Sequence, residues 1–236
     1  MSWSIRTRQI LGDENFNVLT RCRVLVAGVG GVGGYAAEHL VRSGIGAITL
    51  LDSDTVNLTN CNRQIAALTS TVGESKVEVL KKRFLDINPA LEVEAQQLKI
   101  PSEGSLDFLE LDKYDLVLDA IDDVKAKVML LAACVGKGVS VVSSMGAAGK
   151  FDVRKIAISD ISKTCGCPLA RAVRSQLRKS GVARGVTAVF SPEESVSALP
   201  GGKPGSLSYL VAAFGSVCAQ SALDKLLKKS GHPFDD

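Results

Sequence analysis

The repeating pattern begins at residues 22–28, "CRVLVAG", a short apolar run of the kind a strand buried on both faces requires. In "VGGYAAEHLVRSG", apolar residues recur at 32, 36, 37, 40 and 41, which is helical spacing, and Gly44 ends the run. "AITLLD" (47–52) predicts a second strand. "SKVEVLKKRFLDINP" (75–89) predicts an amphipathic helix, stopped at Asn88-Pro89 because proline pushes the residue before it out of the helical region. "LEVEAQQL" (91–98) alternates like a strand. "YDLVLDAID" (114–122) predicts another buried strand, followed by the helix "VKAKVMLLAACVGKG". "VSVVSSMGAAG" (139–149) is a strand running into a glycine turn.

After Lys150 the pattern loosens. "KIAISDI" and "GVTAVFSPEE" read as strands, and "CPLARAVRSQLRKSG" as a helix started by Pro168. "GGKPGS" (201–206) reads as a flexible loop. "SYLVAAFGSVCAQSALDKLLKK" is a long apolar C-terminal helix, with cations in its last turn where the helix dipole favours them. This alternation predicts an α/β fold: a doubly wound, mostly parallel, Rossmann-like sheet with a C-terminal extension.

Composition narrows the class. At 236 residues, 46% of them hydrophobic, the chain suits one large domain or one with a small extension. A charged content of 22% argues against disorder. No apolar stretch is expected to reach the roughly 18–20 residues of a membrane span, and "MSWSIRTRQILGDEN" lacks the apolar core of a secretion signal. The six cysteines (22, 61, 134, 165, 167, 218) then read as reduced thiols, and the expected location is cytoplasmic. Charge is uneven. Residues 150–184 hold nine Lys or Arg against Asp152 and Asp160, a local +7 in a chain of net +3, which suits an anionic partner.

Gly28, Gly30 and Gly33 satisfy G-x-G-x-x-G between a strand and a helix. The first allows the tight turn, the second admits phosphate close to backbone, and the third lets helix pack on strand. The helix N-terminus adds free N–H groups aimed at an anion. NAD and ATP fit this loop equally, and both fit an acid at Asp52, with Asp54 two residues on. Arg63 and Lys76 favour a site where phosphate charge accumulates. Asp119 and Asp122, at the end of a buried strand, are candidate Mg²⁺ ligands, while Asp122 or Asp123 would also cap the following helix.

"RTRQI" (6–10), "GVGGVGGYAAEHLVRSGIGAITLLDSDTVNLTNCNRQ" (28–64), "VGESKVEV" (72–79) and "DLVLDAIDD" (115–123) resemble, in order and spacing, the adenylating superfamily of ThiF, MoeB and the ubiquitin-activating enzymes. The resemblance implies attack of a substrate carboxylate on the α-phosphate of ATP, with Mg²⁺, to give an acyl adenylate and pyrophosphate. It assigns Gly28, Gly30, Gly31 and Gly33 to the phosphate loop and Asp52 to ribose. It sets Asn60, Arg63, Gln64 and Lys76 beside the phosphates and Asp122 beside magnesium. Asp54, two residues past Asp52, and Asp123, next to Asp122, are further candidates for cofactor binding. Arg8 matches an arginine that members reach across a dimer interface into the partner's ATP site, which implies a homodimer. The expected boundaries are 1–150 for the ATP-binding adenylation domain and 151–236 for an extension of the same fold.

The second half is similar to the tRNA threonylcarbamoyladenosine dehydratase branch of that superfamily, through residues 146–182 and "VFSPE" (189–193). The implied reaction is ATP-dependent cyclisation of N6-threonylcarbamoyladenosine in tRNA. Arg171, Arg174 and Arg178 share one helix face and would meet tRNA phosphates. A sulfur-relay protein is a further partner the resemblance leaves open. Zinc-binding members carry two C-x-x-C pairs; this chain has only "CGC" (165–167), so no zinc is expected, and the pair reads as idle thiols. Cys218 reads as core, and His39 and His232 as residues without an obvious partner. The competing readings are adenylation of a ubiquitin-like sulfur carrier and, from another class, an NAD(P)-dependent oxidoreductase.

Overall fold

The computed structural model describes residues 2–196 and 204–228. His232 and residues 201–203 of the expected 201–206 loop lie outside the described residues. The sequence order of the main elements is α1 (Ile5–Leu19), β1 (Arg23–Ala27), α2 (Gly33–Ser43), β2 (Ala47–Leu51), α3 (Lys76–Ile87), β3 (Glu92–Gln96), β4 (Leu116–Asp119), α4 (Val124–Gly136), β5 (Ser140–Ser144), β6 (Ala157–Asp160), α5 (Pro168–Lys179), β7 (Thr187–Phe190) and α6 (Ser208–Lys228).

These strands form one seven-stranded sheet in the order β3-β2-β1-β4-β5-β7-β6. Every pairing is parallel except β6 with β7. The sheet is doubly wound. Because successive side chains on a strand point to opposite faces, Val24 and Val26 of β1 join one core and Leu25 and Ala27 the other. The first core is closed by Leu19 of α1, Leu40 of α2, Phe84 of α3 and Phe214 of α6. The second is closed by Leu130 and Leu131 of α4 and Val173 and Leu177 of α5. Each such side chain contributes about 1.5–3 kcal/mol by leaving water. The strands from 151 onward continue the same sheet.

Three features differ from the sequence reading. Helix α1 was not foreseen; it buries only Phe16 and Leu19 and is interrupted at Gly12, where φ is 78°. Helix α6 has 21 residues and a mean hydropathy of 1.3 in its most apolar window, so it reaches the length and apolarity of a membrane span that no stretch was expected to reach. In the fold, its Leu210, Phe214, Cys218 and Ala222 are buried in the first core. His39 has a partner after all: its Nε2 lies 3.0 Å from Ser216 Oγ on α6.

Candidate functional site

The strand order reverses direction between β1 and β4, and there the loops from the strands' C-terminal ends diverge and leave a crevice. A cleft of about 860 Å³ occupies this edge. Glycines shape its floor. Gly28 has φ +83°, and a Cβ there would sit 2.8 Å from the Ala120 carbonyl oxygen. A Cβ on Gly33 would lie 1.8 Å from Gly28 O, so α2 approaches β1 only with glycine there. Gly30 is different: a Cβ would meet only the Gln64 carboxamide, at 3.7 Å, because this position opens onto the cleft. A Cβ on Gly31 would touch Val211 of α6 at 3.3 Å.

The acids have separate tasks. Asp52 accepts the Val29 N–H at 2.8 Å and the Asp54 N–H at 2.9 Å, so it ties the glycine loop to the end of β2. Asp54 pairs with Lys76 at 2.8 Å; the lysine side chain is 5% exposed and the aspartate 65%. Asp123 caps α4 by accepting from Lys125 and Ala126 N–H, and these bonds, the one to Ala126 foremost, hold its carboxyl below the usual range. Asp122 beside it is exposed and, among the described residues, has no hydrogen-bond or ion-pair partner. Asp119 does not reach the cleft. It is fully buried and paired with Lys127, so it is not a second magnesium ligand as the sequence suggested.

The segment from 57 to 64 is a compact turn. Asn60 Oδ1 accepts the Asn57 N–H while Asn57 caps the turn, which fixes Asn60 in place. Arg63 is half-buried and donates to Thr59 O at 2.9 Å and to Asn62 Oδ1 at 2.8 Å. The Gln64 carboxamide is buried beside Gly30, and its Oε1 has no hydrogen-bond partner. The fold thus brings Gly28, Gly30, Gly31, Asp52, Asp54, Asn60, Arg63, Gln64, Lys76, Asp122 and Asp123 to one cleft.

Other expected residues lie elsewhere. Gly33 is buried in the first turn of α2. Arg8 stacks 4.0 Å over the Phe16 ring and pairs with Asp13 at 2.8 Å, away from the cleft of its own chain. On α5, Arg171 and Arg178 are exposed, but Arg174 donates to Thr164 O at 2.8 Å and to Thr164 Oγ1 at 2.5 Å. Lys150, counted in the basic stretch, is 1% exposed, with its Nζ donating to Ser191 O. Burial removes it from any basic surface and pushes its ammonium below the usual range. Cys165 is exposed and Cys167 buried. Cys134 and Cys218 are core, and burial pushes both thiols up to about 12.

Sequence reasoning missed two parts of the cleft wall: Leu98, Lys99 and Ile100 after β3, and Ser144 at the end of β5 with Met145 to Ala148 after it, Leu169 and Val211. Their only signal is position, since each group follows a strand at its C-terminal end or packs against one that does.

The profile of the ThiF family matches residues 3–235. The tRNA threonylcarbamoyladenosine dehydratase of Bacillus subtilis (strain 168) is 44% identical over 191 residues, covering 81% of this chain and 75% of that protein. The protein of the same name from Escherichia coli (strain K12) is 34% identical over 250 residues, covering 95% of this chain and 93% of the other. The crystal structure of the E. coli tRNA N6-threonylcarbamoyladenosine dehydratase TcdA in complex with ATP superposes with a TM-score of 0.88 at 36% identity, covering 96% of this chain and 94% of that one. The chain belongs to the ThiF family, and within it the similarity runs to the tRNA threonylcarbamoyladenosine dehydratases.

Proposed function

We propose that this chain is an ATP-dependent, ligase-type tRNA threonylcarbamoyladenosine dehydratase. The observation that carries the reading is the cleft itself. Arg63, Lys76 and an unpartnered Asp122 converge on a glycine loop at the sheet's switch point, in a chain similar over almost its whole length to a dehydratase crystallised with ATP. Two cations and a free carboxylate exceed what the pyrophosphate of NAD would need.

In this reading Gly30 lets the triphosphate approach the loop backbone, where nothing but the Gln64 side chain would be in the way of a Cβ. Asp52 takes ribose hydroxyls. Arg63, Lys76 and Asn60 hold phosphate oxygens and offset the charge that builds up when the threonyl carboxylate attacks the α-phosphorus. Pyrophosphate leaves with the electron pair of the broken P–O bond. The carbamoyl group then closes onto the activated carbonyl, loses its proton, and AMP departs; the net change in the nucleoside is one water.

Asp122 fits Mg²⁺, because among the described cleft carboxylates Asp52 accepts two backbone N–H groups, Asp54 pairs with Lys76 and Asp123 caps α4, which leaves Asp122 without a partner. When bound there, the ion would supply positive charge that offsets the charge of the phosphates. Arg8, turned away from its own cleft, would complete the cleft of a second copy, which makes the working species a homodimer. Arg171 and Arg178 would receive tRNA phosphates, with 1–150 as the nucleotide-binding part and 151–236 as the tRNA-facing part. The setting is the cytoplasm.

The test is incubation with ATP, Mg²⁺ and tRNA bearing threonylcarbamoyladenosine. Nucleoside mass spectrometry is expected to show loss of one water. Unchanged tRNA together with adenylation of a small protein's C-terminus would favour the sulfur-carrier reading. Tight NADH binding without ATP turnover would sink both.

A further inference from the structure

The cleft extends past the glycine loop in both directions along the sheet edge. Its wall runs from Ile100 after β3, past Asp52 and the glycine loop, to Asp122 after β4 and Met145 after β5. Adjacent strands lie ~4.8 Å apart, so these five strand ends span roughly 19 Å. The chemistry changes along that length. Charged side chains follow β2 and β4 and flank the uncharged glycine loop after β1, whereas the β5 end, from Ser144 to Ala148 with Leu169 and Val211, carries none and takes its bulk from Met145, Leu169 and Val211.

This apolar end is tied to the nucleotide end. Asn62 Nδ2 donates to Ser206 O at 3.1 Å, and Val211 packs on Gly31, so the start of α6 is fixed against the glycine loop. It is also tied to the basic helix: Leu169 belongs to the first turn of α5, and exposed Arg171 follows two residues later.

We infer that the β5 end of the cleft is the acceptor subsite, which takes the threonylcarbamoyl side chain of the modified nucleoside, with Leu169 as its specificity-determining wall. The inference rests on the dehydratase reading. A substrate seated there enters from the α5 side, with flanking phosphate near Arg171, and points its carboxylate back toward the glycine loop. The apolar wall also has a chemical consequence. An acyl adenylate is open to attack by water, and a dry surface beside it leaves the tethered carbamoyl group as the nucleophile. Hydrolysis would regenerate the carboxylate and release AMP, so each failure consumes ATP without product.

Substitutions at two positions test this on the full chain. Leu169 is half-buried and Leu169→Ala would open the wall to water. A Cβ at Gly146 would make ordinary contacts, 3.6 Å to Cys167 Sγ and 3.7 Å to Leu169 Cβ, so Gly146→Ala is tolerated by the fold and Gly146→Val narrows the subsite. Binding of a non-hydrolysable ATP analogue should stay within about twofold of wild type in all three, while KM for modified tRNA rises about tenfold or more for Gly146→Val. Leu169→Ala should release more AMP than dehydrated nucleoside. Affinity for tRNA lacking the threonylcarbamoyl group should be unchanged in these variants and weakened in Arg171→Ala, whose salt slope should fall by about one.

ATP-analogue affinity that falls in step with tRNA affinity would overturn the assignment, because this end would then belong to the nucleotide. So would an unchanged KM for modified tRNA, or weaker binding of unmodified tRNA by Gly146→Val. A wild-type chain that binds the ATP analogue but dehydrates no tRNA overturns the functional reading and the subsite together.

Discussion

Lys127 and Asp119 form a fully buried ion pair, Nζ to Oδ2 2.5 Å, where α4 crosses the ends of β4 and β5. The ammonium's other two protons go to Ser144 O at 3.0 Å and Ser143 Oγ at 3.3 Å. Ser143 Oγ in turn donates to Asp119 Oδ2, and Asp119 Oδ1 accepts the Ile121 N–H at 3.1 Å. One lysine thus fastens two strand ends whose loops wall the cleft. Lys127→Met would leave Asp119 buried and unpaired, at a cost of about 3–5 kcal/mol. Denaturant unfolding should show this, with partial recovery in the Lys127→Met/Asp119→Asn double variant. A loss under about 1 kcal/mol would mean that the pair does not hold the strands.

The neighbouring aspartates separate by role. Asp122→Ala is expected to abolish AMP release with little change in stability, because the side chain has no partner to lose. Asp123→Ala removes the cap of α4 and should cost about 0.5–2 kcal/mol, with ATP binding retained. Near-normal turnover in the Asp122 variant would remove that residue from the site.

The glycines separate in the same way. Gly33→Ala drives a Cβ into the backbone of Gly28 and should lower the melting temperature or prevent folding. Gly30→Ala has room in the protein alone, so it should melt like wild type and lose ATP affinity. Equal ATP affinity in that variant and wild type would contradict close approach of the phosphates to this backbone.

Glu38 is a pH-dependent fastening between α2 and α3. It is 6% exposed and accepts from Arg83 at 2.5 and 3.1 Å and from Arg42 at 2.9 Å. Burial pushes its pKa up, but the hydrogen bonds from Arg83 and Arg42 outweigh this and hold it below the usual range. A lowered folded-state pKa means stability present above the unfolded value of about 4.3 and lost as pH falls through the folded one. Melting curves from pH 7 down to 3 should therefore fall less steeply for Glu38→Gln than for wild type; identical slopes would place the acid sensitivity elsewhere.

Much of the architecture was legible because each strand and helix repeats its own hydrophobic period. Helix α1 was not, since only Phe16 and Leu19 of its fifteen residues are buried and Gly12 breaks its run. The charged half of the cleft was legible because its residues fall in contiguous segments. The apolar half was not: Met145, Leu169 and Val211 lie on three elements and resemble any core residue. Counting charges also misled. Lys150 is buried and Arg174 is spent on Thr164, so the basic face is smaller than the sequence suggests.

The central claim is that the threonyl carboxylate is activated by transfer to the α-phosphorus of ATP. The most direct measurement supplies tRNA whose threonyl carboxylate carries ¹⁸O on both oxygens and follows the label by mass spectrometry through a single turnover. The account predicts one ¹⁸O in AMP and one retained in the ring carbonyl, with pyrophosphate unlabelled. Label in inorganic phosphate with formation of ADP, or unlabelled AMP, would contradict it.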